Sequence, residues 1–330
     1  MSAFGTKRTC QSLPAMSAFG GKADMPHWCN EEQKSKSAGI RCPVLVASLQ
    51  TYIAPPSPKM HFVSPEFAYW FELALKMAVT ALFVSVATII AERLGPTVGA
   101  LVAPLPVSAG PVYVFLALDH DTAFVSASAV ASLALNAATA IYLTIYVLLA
   151  QHHTIWISSL LAFAAWLAAT LPLSLVHWTA WSAFALNAGV FGFCFFIVEP
   201  FRLVRMPPTT RPWYDFLVRS TMVALLVGAV VTLSFRIGPA GSGVLAVFPV
   251  IYTSIMLILH CRVGGPATAA VLASAIPGLA GFGAALLTLH LTVVALGSAV
   301  ALVFALGVSV AWNAAVYVTR RDQVADEVIE

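Results

Sequence analysis

Charge is what this sequence lacks. Only 9% of its 330 residues are Asp, Glu, Lys or Arg, against 60% hydrophobic residues, where a soluble chain carries about 25% charged residues. A water-soluble globule of this size keeps a wet exterior that so few charges cannot cover. Lipid is therefore the solvent. The five cysteines form no CxxC pair, which argues against a disulfide framework or a zinc site. HExxH, GxSxG, a P-loop and a GxGxxG opening a helix are also missing, so no catalytic residue, metal or cofactor is assigned. The net charge of +3 comes from basic residues at the ends of apolar segments, not from a stripe with interleaved aromatics, and no nucleic-acid partner is expected.

The first sixty residues differ from the rest. MSAFGTKRT at 1–9 returns as MSAFGGKAD at 16–24, followed by a polar stretch and the Pro-rich APPSP at 54–58. A short duplicated segment without helical or strand period reads as disordered or as misassigned coding sequence, with Met60 at or near the physiological start. The expected organisation is then 1–60 as that segment, 61–200 as a first membrane repeat plus a connector, 201–214 as an Arg-rich loop, 215–318 as a second repeat and 319–330 as a tail.

From residue 67 onward, apolar runs of about twenty residues or more alternate with short polar breaks, the length a helix needs to cross roughly 30 Å of hydrocarbon. The pattern predicts an all-α polytopic bundle of nine spans, at 67–91, 95–118, 122–150, 154–176, 179–199, 215–235, 238–260, 265–289 and 291–318. The breaks include Asp119-His120-Asp121, His177-Trp178, Arg236, Cys261-Arg262 and His290. Arg202, Arg205, Arg211, Arg262, Arg320 and Arg321 fall on one side of a nine-span chain. That side is the cytoplasm by the positive-inside rule, and it carries the C-terminus.

The most informative feature is a repeat with an offset of 143 residues. Trp70, Glu72 and Lys76 correspond to Trp213, Asp215 and Arg219; Arg93-Leu94-Gly95-Pro96 corresponds to Arg236-Ile237-Gly238-Pro239; Ala103, Pro106 and Val107 correspond to Ala246, Pro249 and Val250. Matches at non-apolar positions do not follow from shared hydrophobicity. The repeat pairs spans 1 to 4 with spans 6 to 9 and leaves span 5 as a connector. Because five spans separate equivalent points, the two halves are expected to run in opposite directions, the inverted-topology architecture of many secondary transporters.

Spans 2 and 7 are broken by Gly and Pro, at Gly95, Pro96, Gly99, Pro104, Pro106, Gly110 and Pro111 in the first and at Gly238, Pro239, Gly241, Gly243 and Pro249 in the second. Each proline removes a backbone donor, and in hydrocarbon the freed groups survive only where protein or a wet cavity satisfies them. Such interrupted spans at matching places in two halves point to a central site. The candidate substrate-binding residues are Pro104, Pro106, Ser108, Tyr113, Pro249, Tyr252, Thr253 and Ser254. Ordinary kinks are the alternative. Glu72 with Lys76, and Asp215 with Arg219, are four residues apart on one helix face. They are structural ion pairs near the interface or, if they point inward, gating pairs.

No span has an acid or base at its centre, which favours a neutral, amphiphilic or hydrophobic cargo over a small ion. Asn136, Asn187 and Asn313 read as interhelical hydrogen-bond glue, and the histidines as interfacial. At ERLGPTVGALVAPLPVSAGPVYVFLALDHDTAF, residues 92–124, the chain resembles a group of multi-pass bacterial inner-membrane proteins with two Gly-Pro-containing repeats and no established function. The likeness spans about 67–318 and implies a bacterial inner-membrane location but no substrate. The expectation is a carrier of a small neutral or amphiphilic solute, partnered by the bilayer, with homo-oligomer formation left open. The alternatives are a lipid-modifying membrane enzyme, for which only Asp119, Asp121 and His177 offer groups, and a non-catalytic scaffold.

Overall fold

The computed structural model describes residues 64–93, 109–202 and 214–329, all within one compact unit, Val63–Glu330. Segment 1–60, most of the 201–214 loop, and Pro104, Pro106 and Ser108 lie outside the described residues, as does the side chain of Asp215. Among the described residues every regular element is helical. They are α1 (Pro65–Arg93), α2 (Ala109–Asp119), α3 (Thr122–Leu149), α4 (Ile155–Leu175), α5 (Ala180–Val198), α6 (Tyr214–Ala246), α7 (Val250–Val263), α8 (Gly265–Leu296) and α9 (Ser298–Ile329), with one 3₁₀ turn at Glu199–Phe201.

Among the described residues, seven stretches are long and apolar enough to cross a membrane, as an integral membrane protein requires. One of them runs from Leu217 to Val263, 47 residues, about 70 Å if straight and so twice a bilayer's hydrocarbon thickness. It is not straight. Gly238 sits at φ 67° and ψ −173°, a conformation essentially reserved for glycine, and Pro239 follows it. The helix breaks again between Ala246 and Val250. The boundary expected at Arg236 is thus a kink within α6 rather than a loop.

Helix α3 is the axis of the molecule. Its apolar window is 78% buried, where no other span exceeds 44%, and α4, α5, α6 and α8 all pack on it. Contacts along it fix the direction of its neighbours. Passing down α3, Ser132 meets Gly243, Thr139 meets Val247, Tyr142 meets Thr253 and Tyr146 meets His260, so the chain from Pro239 to Val263 runs parallel to α3. Helix α8 runs the other way: Ser126 meets His290, Asn136 meets the Leu279 carbonyl, and Ala150 lies against Gly265.

The break expected at His290 lies instead at Gly297, where φ is 79°. His290 needs no interface because its Nδ1 is 2.8 Å from Ser126 Oγ within the bundle. Two pairs of helix starts keep the sequence offset. Thr122 and Gly265, and Ile155 and Ser298, each stand 143 residues apart, and residues equivalent to α2 fall at 252–262, inside α7. Pairings follow the same rule, since α3 packs on α4 as α8 packs on α9, and α4 meets α7 as α9 meets α2.

Candidate functional site

Non-helical backbone at membrane depth has to be satisfied by protein or by a wet cavity. Around the break at 247–249 the partners come from α3. Ser132 Oγ donates to the Gly243 carbonyl at 2.8 Å and accepts from the Tyr113 hydroxyl at 2.6 Å, which joins α2, α3 and α6 in one chain of hydrogen bonds. Thr139 donates to the Val247 carbonyl at 3.4 Å. Thr253 Oγ1 donates to the Pro249 carbonyl at 2.7 Å, and the Tyr142 hydroxyl lies 2.8 Å from the same Thr253 oxygen. One turn on, the Tyr146 hydroxyl is 2.7 Å from His260 Nδ1.

The close approach has a backbone cause. A Cβ on Gly243 would stand 2.6 Å from the Ser128 carbonyl oxygen and 2.7 Å from Ala131 Cβ, so only glycine lets this segment lie against α3. On another face of α3, Asn136 Nδ2 donates to Asn187 Oδ1 and to the Leu279 carbonyl, both at 3.1 Å. Asn187 Nδ2 donates to the Leu133 carbonyl and to its own helix at Ala183. These amides tie α3 to α5 and α8, as expected of buried amides in a bundle.

Among the residues expected from sequence, the structure places Tyr113 against α3 at Ser132 and brings Pro249 and Thr253 together at Tyr142, ten residues further along that helix. Ser254 turns back to its own helix, donating to the Ile251 carbonyl at 2.7 Å, and Tyr252 is half-buried against the core. What sequence reasoning passed over is the α3 stripe itself. Its signal was present in the spacing of Ser128, Ser132, Thr139, Tyr142 and Tyr146, three, four or seven residues apart along one span.

At one end of the bundle lies a second polar cluster. Lys76 Nζ is 2.6 Å from Asp119 Oδ1 and 2.8 Å from Glu72 Oε1. The Lys76 and Asp119 side chains are only 11% and 13% exposed, while Glu72 is 62% exposed. Of this group, the sequence pairing of Glu72 with Lys76 is present, but the buried partner is Asp119, 43 residues away. Next to it, His120 Nε2 is 2.8 Å from Ser234 Oγ, and its ring stacks on Phe124 at 3.8 Å. Burial lowers the His120 pKa from its ordinary value, against the upward pull of Asp119 and Asp121 and with the downward pull of Lys76. Asp121 caps α3, accepting from Phe124 N at 2.8 Å.

No family model, curated protein or solved structure matches the chain.

The Lys76–Asp119 pairing has no equivalent in the sequence of the second half. At the positions equivalent to Lys76 and Asp119 stand Arg219 and Arg262, two like charges, both half-buried. Among the described residues no three His, Cys, Asp or Glu side chains gather as a metal site would require. The chemistry available along α3 is neutral hydrogen bonding, and it holds a broken helix in place.

A prediction follows for that chain of hydrogen bonds. Tyr113→Phe and Ser132→Ala should each cost about 1 kcal/mol, and the double variant clearly less than their sum, because both remove the same link. Thermal unfolding of the four proteins in detergent measures this. Strict additivity would mean that Tyr113 and Ser132 do not share a network.

Proposed function

We propose that this chain is a secondary carrier of the bacterial inner membrane, moving a small neutral or amphiphilic solute by alternating access. On this reading it has nine crossings: α1, the chain through α2, α3, α4, α5, the two halves of the 214–263 stretch divided at Gly238, α8 and α9. Two inverted-topology repeats of four crossings flank α5, and the C-terminus is cytoplasmic. The observation that carries the proposal is the interrupted span from Pro239 to Val263, held against α3 by side-chain hydrogen bonds. Discontinuous helices at a repeat interface are where carriers of this architecture place their sites.

A further observation supports it: helix α3 and its repeat partner α8 run antiparallel and meet where Asn136 bonds the carbonyl of Leu279, the residue 143 positions on, as a two-fold axis in the membrane plane would require.

The lipid-enzyme alternative needs Asp119, Asp121 and His177 to converge on a substrate. Asp119 is engaged by Lys76 and Asp121 by the first turn of α3, which favours the carrier. Reconstitution in liposomes with a panel of neutral and amphiphilic solutes tests the proposal. Saturable flux of at least one, lost in protein-free vesicles, is the expected result; no flux for the whole panel from folded, inserted protein would contradict it.

A further inference from the structure

A cleft of about 460 Å³ lies between α1 and α2 on one side and α8 and α9 on the other, within the size range of small-molecule sites. Among the described residues its walls are almost wholly apolar, and Phe83, Val303 and Leu306 at its rim are each more than half exposed. In a membrane those rim residues face lipid, so the cleft opens sideways to the bilayer.

Three hydroxyl groups line it: Thr80, Tyr113 and Ser309. Two are already engaged. Thr80 donates to the Lys76 carbonyl at 2.8 Å, and Tyr113 is bound to Ser132. Ser309 is 0% exposed, and its Oγ has no hydrogen-bond partner. A buried hydroxyl without a partner is destabilising, and a ligand that reaches it removes that cost. One turn on, Asn313 Oδ1 is also buried and without a partner.

In the opposite half the residues equivalent to Leu306 and Ser309 are Phe163 and Trp166, which pack with Phe248 at ring-centroid distances of 5.9 and 5.2 Å.

We propose that this cleft binds an uncharged, largely apolar molecule drawn from the bilayer, anchored by one hydrogen bond between the Ser309 hydroxyl and a hydroxyl or carbonyl oxygen of the molecule. This rests on the carrier reading for what happens next, since the bound molecule would be the cargo, but binding itself does not depend on transport. Entry is lateral, between α1 and α9, where the exposed rim residues Phe83, Val303 and Leu306 stand.

Photolabelling of the full-length purified protein in nanodiscs with a diazirine-bearing long-chain alcohol tests the site. Labelling should saturate and map to peptides of α2 and α9. Gly110→Phe, where a Cβ meets nothing within 4 Å, fills the cleft, and labelling should fall at least tenfold. Val303→Trp at the exposed rim serves if Gly110→Phe does not fold. Ser309→Ala should weaken binding about fivefold, equivalent to about 1 kcal/mol, and should leave the matching alkane probe unaffected. Labelling spread evenly over the lipid-facing surface and unchanged by these variants would overturn the site. Saturable labelling without flux of the same alcohol in liposomes would keep the site and remove the carrier, whereas flux of another solute with no labelling of the cleft would do the reverse.

Discussion

Replacing Lys76 with methionine is expected to destabilise the protein by about 3 kcal/mol, because it leaves the Asp119 carboxylate, 13% exposed, without its counter-ion. Replacing Asp119 with leucine in the same chain should restore most of that loss, since an apolar pair of similar volume needs no compensation for desolvation. Glu72→Gln should change stability by about 0.5 kcal/mol or less, as its contact with Lys76 is the solvent-exposed one. The unfolding midpoints of the three variants and the wild type measure this. Single and double variants equally destabilised would show that Asp119 does not depend on Lys76.

The second large effect belongs to Gly265. A Cβ at this first residue of α8 would overlap the carbonyl oxygen of Ala150 at the end of α3, and neither backbone can retreat without disturbing the antiparallel α3–α8 contact. Gly265→Ala should therefore cost about 3 kcal/mol or more. Gly189→Ala and Gly192→Ala on α5, where a Cβ meets nothing within 4 Å, should be neutral or stabilising by up to about 1 kcal/mol, the ordinary gain of alanine over glycine within a helix. Monodispersity after heating in detergent separates the two classes. Equal behaviour of Gly265→Ala and Gly189→Ala would mean that α3 and α8 do not touch at that end.

How much of this was legible in the sequence depends on the range of the interaction that decides it. Helix starts set by local signals were read to the residue at Thr122 and Gly265, because a polar break followed by an apolar run marks them. His290 misled for the opposite reason. A polar residue in an apolar run looks like a break unless its partner is known, and Ser126 is 164 positions away. Lys76 was read with Glu72 because four-residue spacing is visible in a helix, while its buried partner Asp119 follows only from the packing of α1 against the end of α2.

The candidate site shows the same division. Interrupted spans drew attention to Pro249 and Thr253, and the structure places both beside α3. The groups that satisfy the interruption, Ser132, Thr139 and Tyr142, were overlooked because isolated hydroxyls in an apolar helix attract little notice one at a time. Ser309 escaped for a related reason: a serine without a partner is indistinguishable in sequence from one bonded to its own helix, as Ser254 is.

Opposed direction of the two halves is the central claim, and side-specific labelling tests it most directly. In a chain whose five cysteines are replaced, single cysteines at His153 and Leu296, equivalent positions 143 residues apart and both exposed, are treated with a membrane-impermeant maleimide in right-side-out and inverted vesicles. Labelling of position 153 only from the cytoplasmic face and of position 296 only from the outer face is the predicted result. Labelling of both from the same face would contradict it.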